Sequence, residues 1–367
     1  MSIYLDYNAT APVRPEVIAV MAGMLGTPSN PSSVHKWGRK GRKHLEDARA
    51  NVAAALSCFP HEVIFTSSGT EANNLALSSY ADIRVAVCAT EHVSVLKAVP
   101  TATVLPVTGD GQLRYDALRA WLREDTFPSV VSVMLANNET GFIQPIASIV
   151  EVVREYGGIV HCDASQALGK IPVDMGVLGV DMLTLSAHKM GGPPGAAALV
   201  VRQGVDIIPQ LKGGRQEFGK RAGTENLPAI CGFSEAVTLA RMDNWQNQLR
   251  VALDEMEATV LREVPGAKVI CQDAPRRLPT TSALLMPGVL AETQLMHFDL
   301  EGIGVSAGSA CSSGRVTPSH VAQAMGFSES EAACILRVSG GWNTKREDIE
   351  RFTQSWLALA KRLVKAA

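Results

Sequence analysis

The chain has 367 residues, 46% of them hydrophobic and 19% charged, enough for a large core and long enough to favour two domains over one. A formal net charge of -2 and a pI near 6.5 exclude the basic footprint that nucleic acid or an anionic membrane would require. No run approaches the ~18 apolar residues of a membrane span, and Met1-Ser-Ile-Tyr-Leu-Asp6 lacks the basic and apolar regions of a signal peptide, so a soluble cytoplasmic protein is expected.

Short apolar runs alternate with helical patterns through the first two thirds of the chain. Strands are expected at about 62–66, 84–89, 103–107, 129–136, 158–162, 181–185 and 196–201, and helices at about 36–56, 71–80, 92–98, 115–123 and 145–156. The alternation predicts an α/β domain with a seven-stranded, mostly parallel sheet covered on both faces. From about 226 the texture changes. A long amphipathic segment with Trp245, Leu249, Leu253 and Met256 on one stripe runs to about 261. Thr280–Met286, a helix near 291–301, Gly302–Val305, Ile335–Ser339 and a last helix near 345–365 follow. This mix predicts a smaller α+β domain joined by the N-terminal strand Ile3–Asp6, giving a large domain of 16–248 and a small one of 1–15 plus 249–367.

Ligands in such sheets bind beyond the carboxyl ends of the strands, and polar clusters fall there. Ser67-Ser-Gly-Thr-Glu-Ala-Asn73 opens a helix after a strand. Its free N–H groups, with Gly69 allowing close approach and Thr70 adding a hydroxyl, suit an anion, or simply an N-cap turn. His92 in Thr90-Glu-His can stack on an aromatic cofactor and exchange protons; a structural histidine is the alternative. Asn137-Asn138 can orient a polar edge or cap a turn. Asp163 ends the run Gly158–Cys162, where a carboxylate is expensive unless paired. It suits a pyridinium nitrogen or, alternatively, an N-cap; Gln166 could reach the ring's phenolic oxygen.

In Leu183-Thr-Leu-Ser-Ala-His-Lys-Met-Gly-Gly-Pro-Pro-Gly195, Lys189 stands at a strand end with breakers just beyond. That suits an amine whose position and pKa are tuned for Schiff-base chemistry, although a lone lysine also snorkels from strand edges. An anion cradle, a stackable His, an Asn, an Asp and a Lys thus occur in order, each at a strand end, and the ordered set points to pyridoxal phosphate (PLP). Two further stretches stand out: the glycine-rich Gly213–Asn226, whose Thr224 is another phosphate donor, and Ser306-Ala-Gly-Ser-Ala-Cys-Ser-Ser-Gly314. Cys311 there lies among small residues, the setting of a reactive thiol. The seven cysteines are scattered without a C-x-x-C pair, which argues against a disulfide framework or a zinc site. Arg337, in Ile335–Ser339, could clamp a substrate carboxylate.

On these motifs, with Leu5-Asp-Tyr-Asn-Ala-Thr10, Asn30-Pro-Ser-Ser33 and Gly219-Lys-Arg-Ala-Gly-Thr-Glu-Asn226, the sequence resembles the cysteine desulfurases of the NifS/IscS type, a branch of the class V aminotransferases. The resemblance runs essentially end to end. It implies the fold type I of PLP enzymes, L-cysteine as substrate, L-alanine as product and a homodimer. Lys189 would bind PLP covalently, Asp163 would pair with its ring nitrogen and His92 would stack on it. Asn138 and Gln166 would fix its oxygens, and Gly69, Thr70, Ser186 and His188 would hold its phosphate, with Thr224 reaching it from the partner subunit. Asn8 and Arg337 would hold the substrate carboxylate. Cys311 would take the sulfur as a persulfide and pass it to an acceptor protein of iron–sulfur cluster or thio-cofactor biosynthesis. A selenocysteine lyase or other class V PLP enzyme, and a non-catalytic sulfur-transfer scaffold, are the alternatives. Gly192-Pro-Pro-Gly195 departs from the family's usual Gly-Pro-Lys-Gly, Arg215 replaces a common third glycine, and the chain ends at Ala367 where some relatives carry a longer tail that meets a scaffold protein.

Overall fold

The computed structural model describes residues 2–124, 128–274, 276–308 and 318–364. In chain order its strands are β1 (Ile3–Tyr4), β2 (Val63–Thr66), β3 (Arg84–Cys88), β4 (Thr103–Leu105), β5 (Ser129–Ser132), β6 (Ile159–Asp163) and β7 (Met182–Ser186). Then come β8 (Ala197–Val201), β9 (Lys268–Val269), β10 (Thr281–Leu285), β11 (Ile303–Gly304), β12 (Ser306–Ala307) and β13 (Ile335–Ser339).

The central sheet has the order β2-β8-β7-β6-β5-β3-β4. Its neighbours pair in parallel except β8, which runs antiparallel to both β2 and β7. The seven strands expected from the sequence are these seven, each within a few residues. Their side chains are mostly apolar on both faces, as a sheet sandwiched between helices requires, with buried Ser132, His161 and Thr184 hydrogen-bonded to one another across β5, β6 and β7. Because β8 alone is reversed, β2, β3, β5, β6 and β7 all end on one edge, where the polar clusters follow.

A four-stranded sheet, β12-β13-β10-β9, and the parallel pair β1–β11 make up the rest. In β13 alternation decides direction: Leu336 and Val338 enter a second core with Ile3, Leu5, Leu253, Phe298, Phe352 and Trp356. Arg337 therefore faces the other way, toward the central sheet's polar edge. The N-terminal strand joins this part as expected, by β1–β11 pairing and the Asp6–Ser339 bridge.

The expected single segment of 226–261 is in fact two helices, Leu227–Met242 and Gln246–Glu263. The buried face changes partner at the break: Leu227, Ile230 and Phe233 join the central-sheet core, whereas Leu249, Leu253 and Met256 join the second. Asp243, in the break, pairs with Arg14. A helix at Pro15–Leu25 was not expected; it buries only Val17 fully, so the sequence shows little periodicity there. Gly213–Asn226 is irregular, as expected. Its one turn, Glu217–Gly219, is anchored by a buried pair in which Arg49 Nη1 and Nη2 donate to Glu217 Oε2 and Oε1 at 2.7 and 2.8 Å. Among the described residues no helix is long and apolar enough to cross a membrane.

Candidate active site

At the shared strand edge lies a cavity of about 380 Å³, within the range of small-molecule sites. Each lining cluster follows a strand. After β2 comes the helix Gly69–Ser78, whose Ser68 hydroxyl accepts from Glu71 N at 3.1 Å and caps it. The first-turn N–H groups face the cavity with Thr70, an anion seat of the expected kind. A side chain at Gly69 would place its Cβ 3.1 Å from Ser165 Oγ, a tight contact that would push that hydroxyl back by a few tenths of an ångström.

Asp163 is the last residue of β6 and is 6% exposed. Its Oδ1 accepts from Ser165 N at 2.9 Å and its Oδ2 from Asn73 Nδ2 at 2.8 Å. Asn73 also donates to Ser94 Oγ at 2.9 Å, and Ser94 Oγ lies 2.7 Å from His92 Nδ1. The carboxylate and the imidazole are thus set by one shared amide. His92 Nδ1 accepts from Ser94 N at 3.2 Å, which leaves the proton of the neutral ring on Nε2. Burial lowers the His92 pKa below its ordinary value, and Lys189 and His320 add to the shift against Asp163, so the ring is neutral at pH 7. Burial, with Lys189 and Lys170 nearby, also pushes His188 down to about 4.

Lys189 stands one turn past β7. Its Nζ donates to the carbonyls of Asn8 and Ala9 at 2.7 and 2.8 Å. The Gln166 amide donates to the same Asn8 carbonyl at 2.9 Å. From the second core side, Arg337 donates to Asp6 Oδ1 at 2.6 Å and to the Asn138 carbonyl at 3.0 Å, while its buried Nε has no partner among the described residues. Asn8 Nδ2 donates to that same Asn138 carbonyl, at 3.0 Å.

The donor set fits a flat aromatic ring bearing a phosphate. A helix N-terminus with Thr70, Ser186 and His188 can take the anion, Asp163 a protonated ring nitrogen, His92 a ring face and Gln166 a ring oxygen. Lys189 is the amine within reach of a carbonyl carbon. Arg337 keeps three N–H groups, the one on Nε among them, beyond those given to Asp6 and Asn138, and these are open to a substrate anion.

Of the residues expected from the sequence, Asn8, Gly69, Thr70, His92, Asn138, Asp163, Gln166, Ser186, His188, Lys189 and Arg337 all line this cavity. Thr224 does not; it is exposed, in the loop before Leu227. Cys311 lies outside the described residues. Pro194 and Arg215, the two departures, are exposed and line no part of the cavity. Sequence reasoning gave no role to Asn73, Ser165, His320, Glu139 or Asp6. Asn73 was findable, since it sits one helical turn beyond Gly69 and so faces the same strand edge. Asp6 and His320 reach the site only through tertiary folding.

Residues 3–352 match the model of the family described as Aminotransferase class-V. The chain is 40% identical over 364 residues to the cysteine desulfurase IscS of Dictyoglomus turgidum, covering 95% of this chain and 91% of that protein. The solved NifS-like protein of Rickettsia africae superposes with a TM-score of 0.92 at 33% identity, over 98% of this chain and all (100%) of that one. A structure of SspA in complex with cysteine gives a TM-score of 0.80 at 29% identity, over 92% and 98% of the two chains. The strand-edge lysine, its facing carboxylate and the full-length likeness lead to one assignment: the chain belongs to the class V aminotransferase family, among the cysteine desulfurases of the NifS/IscS type.

Proposed function

We propose that the protein is a PLP-dependent cysteine desulfurase that converts L-cysteine to L-alanine and moves the sulfur onto Cys311. The observation that carries this reading is the meeting of Lys189, Asp163 and His92 on one strand edge with Asn8 and Arg337 brought in from β1 and β13. Bound PLP supplies an electron sink that lets electrons leave the substrate's α-carbon. Lys189 would hold the cofactor, and its amine is placed to move the substrate's α-proton. Asp163 keeps the ring nitrogen protonated, and Asn73 and Ser165 hold that carboxylate in place. Neutral His92 stacks on the ring with its Nε2 proton available for exchange. Arg337 fixes the substrate carboxylate; Asn8, expected from the sequence to share that role, gives both amide hydrogens to the Asn138 carbonyl and Thr281 Oγ1 and forms the wall behind it. The Cys311 thiolate attacks the substrate sulfur, a new S–S bond forms as the C–S bond breaks, and the carbon fragment takes up a proton to become alanine. The persulfide on Cys311 then passes to an acceptor protein serving iron–sulfur clusters or other thio-cofactors.

Thr224 is exposed and outside the cavity of its own chain, which agrees with a homodimer in which each subunit lends this hydroxyl to its partner. The division into a large unit of 16–248 and a small unit of 1–15 with 249–367 is supported by the second core, whose residues come from 3–5 and 249–360. A cytoplasmic location agrees with the expected reduced thiols.

The test is to incubate the holoenzyme with L-cysteine, quantify alanine, and locate the extra sulfur by mass spectrometry. Sulfur added at Cys311, and loss of alanine formation in Cys311→Ser with the visible band of bound PLP retained, are the expected results. Undiminished desulfuration by Cys311→Ser would overturn the assignment of that residue.

A further inference from the structure

Lys170 is a second buried lysine at the site, one that the reaction described above does not use. It is 6% exposed, yet among the described residues no carboxylate accepts from it. Its Nζ donates to two neutral amides, Asn8 Oδ1 at 2.7 Å and Gln166 Oε1 at 2.6 Å. Its charged neighbours are themselves cations, Lys189 and Arg337, and burial together with these two lowers its pKa well below the ordinary lysine value. A buried cation without a counter-ion is costly, so a site that keeps one has a use for its charge or its donors.

The donors have a specific consequence. Charged or neutral, the Lys170 amine has the two N–H groups these contacts use, and both amides turn an oxygen toward it. Asn8 then has its NH2 group left for the Asn138 carbonyl (3.0 Å) and Thr281 Oγ1 (2.9 Å). Gln166 has its NH2 group left for the Asn8 carbonyl. The Asn138 carbonyl is shared with Arg337, and the Asn8 carbonyl with Lys189. The Lys170 amine thus sets the polarity of two short chains of hydrogen bonds, one ending at the guanidinium and the other at the reactive amine.

We infer that Lys170 is a positioning residue for the desulfurase reaction, holding Asn8 and Gln166 in a single orientation behind the bound substrate carboxylate and the cofactor's ring. The inference rests on the proposed function. It assigns Lys170 no proton transfer and no contact with the reacting atoms. Its positive charge is offset when the substrate carboxylate arrives, so the residue acts on substrate capture more than on turnover.

The test compares Lys170→Met and Lys170→Arg with the wild-type protein. In Lys170→Met the KM for L-cysteine should rise about tenfold or more, the loss expected when hydrogen bonds that orient groups around a charged ligand are removed. The kcat should change far less, and the apoprotein's dissociation constant for PLP should rise several-fold as Gln166 loses its register. The thermal midpoint should change little, because relief from burying the amine is offset by leaving the buried Asn8 and Gln166 oxygens without their donor. Lys170→Arg should recover part of the KM. Should Lys170→Met not yield folded protein, Lys170→Gln replaces it with the same expectations. Unchanged KM and PLP affinity would overturn the inference, as would a parallel fall of kcat and thermal midpoint that Lys170→Arg does not recover. Lys189→Ala separates this from the underlying reading: if it still turns over L-cysteine, the reading itself fails. If it is inactive while Lys170→Met behaves as wild type, only the role of Lys170 is lost.

Discussion

Replacing Glu217 by Gln should destabilise the protein far more than a surface substitution. The Glu217 and Arg49 side chains are 1% and 2% exposed. The carboxylate accepts both Arg49 donors and, in addition, Phe65 N at 2.8 Å. Arg49 is further held by the Val63 carbonyl at 2.7 Å and lies over the rings of Phe65 and Phe218. Glutamine keeps the shape and one acceptor but removes the charge, leaving a guanidinium sealed from water with the half-exposed Glu46 at 3.2 Å as its remaining ion pair among the described residues. Breaking one side of such a pair costs about 3–5 kcal/mol, and the retained acceptor puts the expectation near the lower end, ~3 kcal/mol. That is a large share of the roughly 5–15 kcal/mol that typically holds a folded protein. Urea unfolding followed by tryptophan fluorescence measures it, with Arg49→Met and the double variant completing a cycle. The double variant should be more stable than Glu217→Gln alone, since it removes the stranded charge. A Glu217→Gln protein within ~1 kcal/mol of wild type would refute the argument.

Other outcomes follow from the same structure. Burial pushes His161 and His188 down to about 4 and lowers His92 as well. Their folded pKa values lie below the unfolded value near 6.5, so the unfolded chain binds more protons between the two. The stability they provide is complete above about pH 6.5 and is lost as pH falls toward 4; urea midpoints at pH 7, 5.5 and 4.5 should decline in that order. Glu91 has the opposite sign. Its carboxyl is fully buried and burial raises its pKa well above the usual range, with Asp163 adding to the effect. Its contribution therefore weakens as pH rises above 4.5, and Glu91→Gln should be as stable as wild type or more so at pH 8 by thermal unfolding. Asn73→Ala should weaken PLP binding by about tenfold, because Asp163 and Ser94 both lose a donor; fluorescence titration of the apoprotein would detect it. Arg337→Lys, whose single nitrogen lacks the planar fork that spans Asp6, Asn138 and a bidentate carboxylate at once, should raise the KM for L-cysteine by roughly 10–100-fold.

The sequence carried the central sheet well because each strand is a short apolar run bounded by breakers, and local composition alone decides that pattern. The strand-edge residues were readable for the same reason: Asp163, Ser186 and Lys189 follow their strands directly. What lay beyond reach has a common physical cause. The break at Asp243 depends on which core each half of the segment meets, and helical periodicity does not encode that. Lys170 is a lysine in a polar turn until Asn8, 162 residues away in sequence, closes over it. Asp6 was quoted with the N-terminal motif, yet its pairing with Arg337 exists only because β1 and β13 meet.

That meeting has a consequence for how the protein is made. Asn8 N donates to Ser339 Oγ across 331 residues, and Asn8 and Ala9 are the residues that grip Lys189. The segment carrying Asn8 can settle only after β13 has been made, so loop closure on this scale comes late. A nascent or truncated chain could build the central sheet and still lack the wall that orients Lys189. The setting of Lys189 would then be complete only once β13 has docked against the segment that carries Asn8 and Ala9.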